Sequence, residues 1–157
     1  MAIEKVREYL RGFGLAEGIL EFPVSSATVE LAAQAAGVIP ARIAKSLSFM
    51  LPEGPILVVA AGDAKVDNPK FKAQFHAKAK MLGHDEVGAR IGHDVGGVCP
   101  FAVNDDVRVY LDVSLRRFET VFPACGSANS AIELAPDRLA EVAQGFQGWV
   151  DVCKLPE

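Results

Sequence analysis

Cysteine is scarce in this sequence, and the few cysteines lie far apart. The 157 residues include three, Cys99, Cys125 and Cys153. An odd number without close spacing fits neither a disulfide framework nor a C-x-x-C metal site. The three histidines are equally scattered, and none stands four residues from another as in a helical zinc site. We therefore expect neither a metal nor another cofactor.

Long hydrophobic stretches and secretion signals are also missing. No apolar run approaches the roughly 18 residues that span a bilayer, and the longest, Pro55 to Ala61, has the length of a strand. The opening stretch, MAIEKVREYL, alternates charged and apolar residues with a helical period and lacks the pattern of a signal peptide. We therefore expect a cytoplasmic protein that does not enter a membrane.

A strong excess of positive charge, which would predict a nucleic-acid partner, is absent as well. The sequence has 16 Lys and Arg against 20 Asp and Glu, a net charge of −4. Between Arg42 and Lys80, however, seven basic residues stand against three acidic ones, so that this segment carries +4. A basic face on an acidic protein can contact a phosphate backbone. A solvated, lysine-rich surface without a partner explains the same pattern.

What the sequence does contain is enough apolar material for a core. Half of its residues are hydrophobic, which argues against disorder. Apolar residues at spacings of three and four predict a helix from Ala2 to Arg11. A second helix is predicted from about Ala27 to Gly37, with Ser25 or Ser26 as its N-cap.

The remaining elements favour a protein of the α+β type. Strands at Ser46–Leu51 and Pro55–Ala60 flank a Pro-Glu-Gly turn and predict a hairpin. Further helices are predicted from Asn68, with Asn68 as the cap, from His84 to Gly92, and from Ala135 to Gly145. Further strands are predicted at Gly18–Phe22, Val107–Asp112, Glu119–Ala124, Ala131–Leu134 and Gly148–Val152. Because strands and helices do not alternate regularly, we expect mostly antiparallel pairs in a mixed or barrel-like sheet.

The most unusual local pattern is GGVCPF, Gly96 to Phe101, which places a cysteine between glycines and a proline. A nucleophilic thiol needs a base, and His93 lies six residues upstream. Pro100, however, removes the following N–H, a group that helps to form the oxyanion hole in several hydrolase turns. In the alternative interpretation the glycines let the backbone approach a ligand, Pro100 stiffens the loop, and Cys99 is a small filler.

Lys45 is the second candidate, because it stands at the start of a predicted strand between apolar neighbours. There its ammonium can point into a cleft and hold a phosphate or a carbonyl oxygen. A lysine whose apolar stem covers a strand edge is the alternative. The loops GDAK, Gly62–Lys65, and GSANS, Gly126–Ser130, stand where functional residues are common, but ordinary turns explain both.

Taken in order, five segments resemble the YbaK-like family, the editing domain associated with prolyl-tRNA synthetase, which also occurs as free-standing proteins. They are ARIAKSLSF, PILVVAAGDAKVD, GGVCPF, VYLDVSL and VFPACGSANSAIELAPDRL. The resemblance covers roughly Ser25 to Leu139. It implies that residues 1–157 form one editing domain of the α/β class, in which a mixed, curved, barrel-like sheet is surrounded by helices.

The resemblance also implies which residues form the site. The essential lysine of the family falls on Lys45. The GxxxP loop, which shapes the amino-acid pocket, covers Gly96, Gly97, Val98, Cys99 and Pro100. Three further positions beside the pocket are Thr28, Gly126 and Ser127. The expected contacts to tRNA are Lys65, Lys70 and Lys72.

The activity that the resemblance implies is metal-independent hydrolysis, in trans, of the ester that joins a wrong amino acid to tRNA. We expect tRNA for proline carrying a small amino acid, and prolyl-tRNA synthetase as a second partner. Lys45 would offset charge on the ester while the amides of Gly96 and Gly97 contact the substrate. Two alternatives remain open, namely a non-catalytic module that binds tRNA or a synthetase, and a cysteine hydrolase.

Overall fold

The chain forms five α-helices and nine β-strands in the part that the structure, a computed structural model, describes, residues 2–156. The helices are α1 (Ala2–Arg11), α2 (Val29–Ala36), α3 (Asn68–Phe75), α4 (Val87–Ile91) and α5 (Pro136–Val142). The strands are β1 (Ile19–Glu21), β2 (Ile43–Leu51), β3 (Gly54–Ala61), β4 (Lys65–Val66), β5 (Arg108–Asp112), β6 (Phe122–Pro123), β7 (Ser130–Ile132), β8 (Phe146–Val150) and β9 (Cys153–Lys154). Within residues 2–156, no helix combines the length and the apolar character that crossing a bilayer requires.

The β2–β3 hairpin is the centre of the molecule. The two strands pair antiparallel from Ala44 opposite Ala61 to Leu51 opposite Gly54, and Gly54 has a φ of 137° at the turn. The residues from Ile56 to Ala61 are all 0% exposed, since β3 has neighbours on both sides and both its faces are covered. A continuous apolar run is what such a strand requires. The predicted hairpin is confirmed.

The prediction of mostly antiparallel pairs is wrong for the central sheet. This sheet has the order β6-β2-β3-β5-β8, and β2 and β3 form its one antiparallel pair among the described strands. The pairs β2–β6, β3–β5 and β5–β8 are parallel. The chain between β3 and β5 contains α3 and α4, which is long enough for the crossover that a parallel pair needs. The expected mixed, curved α/β fold is confirmed.

An irregularity between β5 and β8 contributes to the curvature of the sheet. The register shifts between Val109 and Tyr110, opposite Gly148, whose φ is 154°. An extra residue on one strand increases the local twist and bends the pair. The small antiparallel ladders β1–β7 and β4–β9 lie outside this five-stranded sheet.

The N-terminus of α2 is capped by a residue other than the two predicted. Thr28 Oγ1 accepts a hydrogen bond from the amide of Leu31 at 3.2 Å, so that Thr28 is the N-cap rather than Ser25 or Ser26. Ser25 Oγ instead accepts from the amide of Ala27 at 3.2 Å and forms a turn before the helix. Gly37 ends α2 as expected.

The N-cap of α3 lies one residue before its predicted position. The C-terminal end of α4 lies at the predicted residue. The N-cap of α3 is Asp67, whose Oδ1 accepts from the amide of Lys70 at 3.1 Å, and Asn68 is the first helical residue rather than the cap. Gly92 ends α4 in the left-handed conformation, with a φ of 106°, as the sequence predicts. Side chains that cap equally well compete over neighbouring positions, and the backbone direction before the helix decides between them.

Candidate functional site

A cavity of about 350 Å³ opens between the start of α2, the strand β2 and the loop that follows α4. Its volume lies in the range of pockets that hold small ligands. Residues from distant parts of the chain contribute to its wall, among them Thr28, Lys45, Ser46, His84, Gly96 and Val98. The structure therefore brings the predicted lysine and two residues of the GxxxP loop to one cavity.

Lys45 is half-buried in the cavity wall, and backbone carbonyl groups hold its ammonium. Nζ donates to the carbonyl oxygen of Ala64 and, at 3.4 Å, to that of Gly62. Burial lowers the pKa of Lys45, because the charged form loses hydration, whereas the charge of Asp63 raises it. Neutral oxygens thus fix the ammonium at the wall, and no carboxylate in residues 2–156 forms a direct ion pair with it.

The GxxxP loop divides into residues that face the cavity and residues that support the loop. Gly96, with a φ of 96°, and Val98 lie in the wall, and their amides donate to no other described residue. Gly97 is buried, and its amide donates to the carbonyl of Asp94 at 3.0 Å. A Cβ at Gly97 would lie 2.6 Å from the carbonyl carbon of Gly126, so that only glycine fits there.

Gly126 and Ser127 lie behind this loop rather than in the cavity wall formed by the described residues. A Cβ at Gly126 would lie 2.9 Å from the carbonyl oxygen of Ala2 in α1, which leaves no room for a side chain. Ser127 Oγ is 2.6 Å from Ser130 Oγ and 3.0 Å from Asn129 Oδ1. Of this group, Ser130 reaches the cavity, while Gly126 and Ser127 shape the backbone on which the GxxxP loop rests.

Cys99 and His93 do meet, but their geometry does not activate the thiol. Cys99 Sγ lies 3.5 Å from His93 Nε2, and that nitrogen is 2.6 Å from the carbonyl oxygen of Phe101. Since a carbonyl only accepts, Nε2 carries the proton and cannot remove another one from the thiol. Burial raises the pKa of Cys99 to about 12, and Cys99 is 0% exposed. Together with the buried Pro100, it lies outside the cavity wall that the described residues form.

Ser46, the residue after Lys45, lies in the cavity wall although it is not one of the predicted site residues. Its hydroxyl oxygen is buried and has no hydrogen-bond partner among the described residues. Ser46 and Ser48 stand two positions apart on β2 and both line the cavity, as strand alternation predicts for residues on one face. The signal in the sequence was a pair of small polar residues in a strand that is apolar apart from Lys45. Thr28 combines its capping role with a place in the same wall.

The three lysines predicted to contact tRNA are all exposed, and they differ in their surroundings. They are Lys65, Lys70 and Lys72. Lys65 stands directly opposite Lys154 in the β4–β9 ladder, and its charge lowers the pKa of Lys45. Lys70 donates to Asp151 Oδ1 at 3.1 Å and to the carbonyl of Cys153 at 3.0 Å. Lys65 is therefore the one of the three that the structure places near Lys45.

The acidic residue beside Lys45 is bound to an arginine. Asp63 lies between the two residues whose carbonyls hold Lys45, and both its carboxylate oxygens accept from Arg117, at 2.6 and 3.1 Å. The Arg117 hydrogen bond lowers the pKa of Asp63, so that this carboxylate is ionised at neutral pH. In residues 2–156, no three His, Cys, Asp or Glu side chains gather in a group suited to a metal ion.

Comparison with known proteins gives one family and, among the relatives, two of similar length. The family model described as aminoacyl-tRNA editing domain matches residues 24–142. The uncharacterized protein YwhH of Bacillus subtilis (strain 168) is 54% identical over 156 residues, which cover 98% of each chain. The proposed Cys-tRNA(Pro)/Cys-tRNA(Cys) deacylase EbsC of Enterococcus faecalis (strain ATCC 700802 / V583) is 27% identical over 120 residues, 75% of this chain and 73% of that protein.

A solved structure is similar over almost the whole chain. It is the crystal structure of a proposed trans-editing enzyme for prolyl tRNA synthetase, with a TM-score of 0.87 and 27% sequence identity. The similarity covers 98% of this chain and 97% of that one. The likeness therefore includes the helices and strands on every side of the cavity.

Proposed function

The chain belongs to the aminoacyl-tRNA editing domain family, and from this premise we propose that it is a trans-editing deacylase, which hydrolyses the ester of a mischarged tRNA. The observation that carries the proposal is the common wall of the cavity, in which Lys45 and the loop residues Gly96 and Val98 meet. The name of the Enterococcus faecalis relative and the similarity to a crystal structure of a proposed trans-editing enzyme support the same activity.

The proposed reaction needs little chemical help from the protein, because an aminoacyl ester is already activated. Water attacks the carbonyl carbon, negative charge develops on the carbonyl oxygen, and the bond to the ribose oxygen breaks while that oxygen takes up a proton. The Lys45 ammonium offsets the developing charge, and the unpaired amides of Gly96 and Val98 in the described cavity wall are available as N–H donors. These groups supply the electrostatic stabilisation that a metal ion supplies in other hydrolases, which makes the proposed reaction metal-independent.

Selectivity in this proposal rests on the size and lining of the cavity. One methylene group is worth only about 1–3 kcal/mol of discrimination, which is why a second site that accepts small side chains improves fidelity. We propose a small amino acid wrongly attached to tRNA for proline as the substrate. The relative's name, which includes Cys-tRNA(Pro), supports this choice.

The proposed partner is the acceptor end of aminoacyl-tRNA, with Lys65 as its nearest cationic contact outside the cavity. Prolyl-tRNA synthetase is the proposed second partner, supported by the similarity to the trans-editing enzyme proposed for that synthetase. The proposal takes residues 1–157 as one editing domain that acts on released aminoacyl-tRNA in the cytoplasm.

A deacylation screen with two variants of Lys45 tests the proposal. The purified protein is incubated with tRNA for proline charged with alanine, cysteine, serine or proline, and the remaining ester is measured over time. Lys45→Met keeps the apolar stem and removes the charge, and we expect it to lower the rate by about 100-fold or more, as the loss of one oxyanion donor does. Lys45→Arg keeps the charge and should retain part of the activity.

Thermal unfolding provides the control for this screen. Lys45→Met should remain folded, because removal of a partly buried charge offsets part of the loss of the hydrogen bonds to the carbonyls of Gly62 and Ala64. An unchanged hydrolysis rate in Lys45→Met contradicts the role of Lys45. Binding of tRNA without hydrolysis of any ester in the panel supports the non-catalytic module instead.

A further inference from the structure

The loop that holds Lys45 packs closely against neighbouring segments at Gly62. Gly62 begins the loop after β3, and a Cβ there would lie 2.1 Å from the carbonyl oxygen of Pro40 and 2.8 Å from Val29 Cγ1. Such contact distances exclude any side chain, so the loop backbone packs directly against the turn before β2 and the start of α2. The carbonyls of Gly62 and Ala64 are consequently fixed acceptors for the Lys45 ammonium.

Arg117, which binds the carboxylate of this loop, is itself held firmly. Its Nε donates to the carbonyl of Ser114 at 2.9 Å, and its guanidinium lies 4.8 Å from the centre of the Phe118 ring. Ser114 is anchored in turn, since its amide donates to Asp112 Oδ2 at 2.9 Å and its hydroxyl accepts from the amide of Ala61 at 3.1 Å. The turn after β5 thereby presents Arg117 to the loop after β3.

The charges around Lys45 pose an electrostatic problem that this arrangement solves. An ammonium binds a carboxylate more strongly than a neutral carbonyl, and a direct Lys45–Asp63 pair would neutralise the cation at the cavity. Arg117 occupies both oxygens of Asp63, in the two-pronged geometry that guanidinium groups form with carboxylates. Lys45 is left with the neutral carbonyls, and no directly contacting carboxylate among the described residues offsets its charge.

We propose that Arg117 is a positioning residue that holds Asp63 away from Lys45 and so keeps the ammonium available to an anionic group in the cavity. The inference rests on the proposed function, because the role of Lys45 is assigned there. Arg117 does not line the cavity within the described residues and contacts no reacting atom in this scheme. Its effect passes through Asp63 to Lys45.

The first test measures the ammonium itself and needs no substrate. The pKa of Lys45 is determined by ¹⁵N NMR in lysine-labelled protein and compared in the wild type, Arg117→Gln, Asp63→Asn and the double variant. In Arg117→Gln the released carboxylate pairs with Lys45 and raises its pKa, and in the double variant that rise disappears. The other charged or titratable groups facing Lys45 are Glu30, Lys65 and Cys153, and they are unchanged in all four proteins.

The second test measures deacylation in the same four proteins. We expect Arg117→Gln to lower kcat/KM by about 10-fold or more, within the range lost with one electrostatic contact to a transition state. The double variant should recover to within about 3-fold of Asp63→Asn, since neither variant contains a free carboxylate beside Lys45. Residues in one network are coupled in this non-additive way, whereas a merely structural Arg117 would leave the double variant no better than Arg117→Gln.

Arg116→Gln is the matched control, because it removes an arginine from the same turn. Arg116 packs over Trp149, with its guanidinium carbon 3.9 Å from the ring centre, and pairs with Asp137. Arg116→Gln should change neither the pKa of Lys45 nor kcat/KM for deacylation. If Arg117→Gln does not fold, Arg117→Lys, which keeps one cationic contact, should show a smaller shift in the same direction.

The two readouts separate this inference from the proposed function. An unchanged Lys45 pKa in Arg117→Gln overturns the inference whatever the enzyme activity. The inference is supported if the Lys45 pKa rises in Arg117→Gln and this rise is absent from the double variant. That support holds even if no ester in the panel is hydrolysed and the deacylase proposal fails. A double variant as slow as Arg117→Gln, in a protein that does hydrolyse the ester, also overturns it.

Discussion

A histidine and a thiol in contact do not form a reactive pair in this protein, and the reason is the position of a single proton. The Phe101 carbonyl fixes that proton on His93 Nε2, the nitrogen that faces Cys99. Burial also keeps both groups neutral, since it lowers the pKa of His93 and raises that of Cys99. Cys99 is therefore a buried packing residue of the GxxxP loop.

Replacement of this cysteine tests the conclusion. We expect Cys99→Ser to retain its hydrolysis rate within about 3-fold, because removal of a group with no catalytic part leaves the transition state unchanged. A hydroxyl in place of a buried thiol should cost about 1–3 kcal/mol of unfolding free energy, measured with urea, since the site offers it few partners. Abolished turnover in a folded variant would revive the cysteine hydrolase.

At the scale of elements, the packing of one loop on another decides the shape of the cavity. Gly97 of the GxxxP loop touches the backbone of Gly126, which in turn touches α1. Three segments distant in sequence therefore pack closely together at these two glycines. Gly97 and Gly126 lie behind Gly96 and Val98, so we expect them to affect the cavity although they do not line it.

Gly97→Ala tests this stacking. The new methyl group would lie 2.6 Å from a backbone carbon, so the loops must separate, and we expect a loss of about 1–3 kcal/mol of unfolding free energy, typical of overpacking. The deacylation rate should also fall at a temperature at which the variant is still folded, so that the lost stability does not account for the decrease. Gly18→Ala is the control, because its methyl group meets Ile132 Cδ1 at an ordinary 3.5 Å. Equal losses of unfolding free energy and of deacylation rate in Gly97→Ala and Gly18→Ala would contradict the proposed close packing at Gly97.

At the scale of the whole molecule, a protein with a net charge of −4 needs a local cationic surface to bind RNA. The β4–β9 ladder provides one, since Lys65 and Lys154 are direct cross-strand partners on the same face. Two like charges opposite each other destabilise a ladder, and an RNA phosphate between them would relieve the repulsion. We therefore expect Lys154 to contact tRNA together with Lys65, its partner in the ladder.

The salt dependence of tRNA binding tests this surface. Each of Lys65→Ala and Lys154→Ala should reduce the slope of log K against log salt concentration by about 0.7, the value for one phosphate contact in a single strand. Neither variant should lower the melting temperature, because each removes a repulsion. Arg138→Ala, which changes a cation on α5 outside the described cavity wall, should leave the slope unchanged. An unaltered slope in both lysine variants would place the tRNA elsewhere.

The amino-acid sequence by itself determined the main helices, the central hairpin and the family, but not the short strands β4 and β9. Periodicity predicts α1 and the hairpin of β2 and β3, because a single helix or strand records its own environment in the spacing of its apolar residues. Five segments in a fixed order were also sufficient to identify the family, and the match of the family model over residues 24–142 confirms this identification. The assignment of roles to individual site residues, and of residues 1–157 to one domain, stays a prediction.

Only the tertiary structure decided which distant groups meet. Asp63 and Arg117 are 54 residues apart, and their contact depends on β3 and β5 being parallel neighbours, which local patterns had not predicted. The proton on His93 and the unpartnered hydroxyl of Ser46 in the described part of the chain were equally invisible. Local periodicity reports how far each residue is buried, but the electrostatics of a site depend on which chain segments the sheet order brings together, and no short segment contains that information.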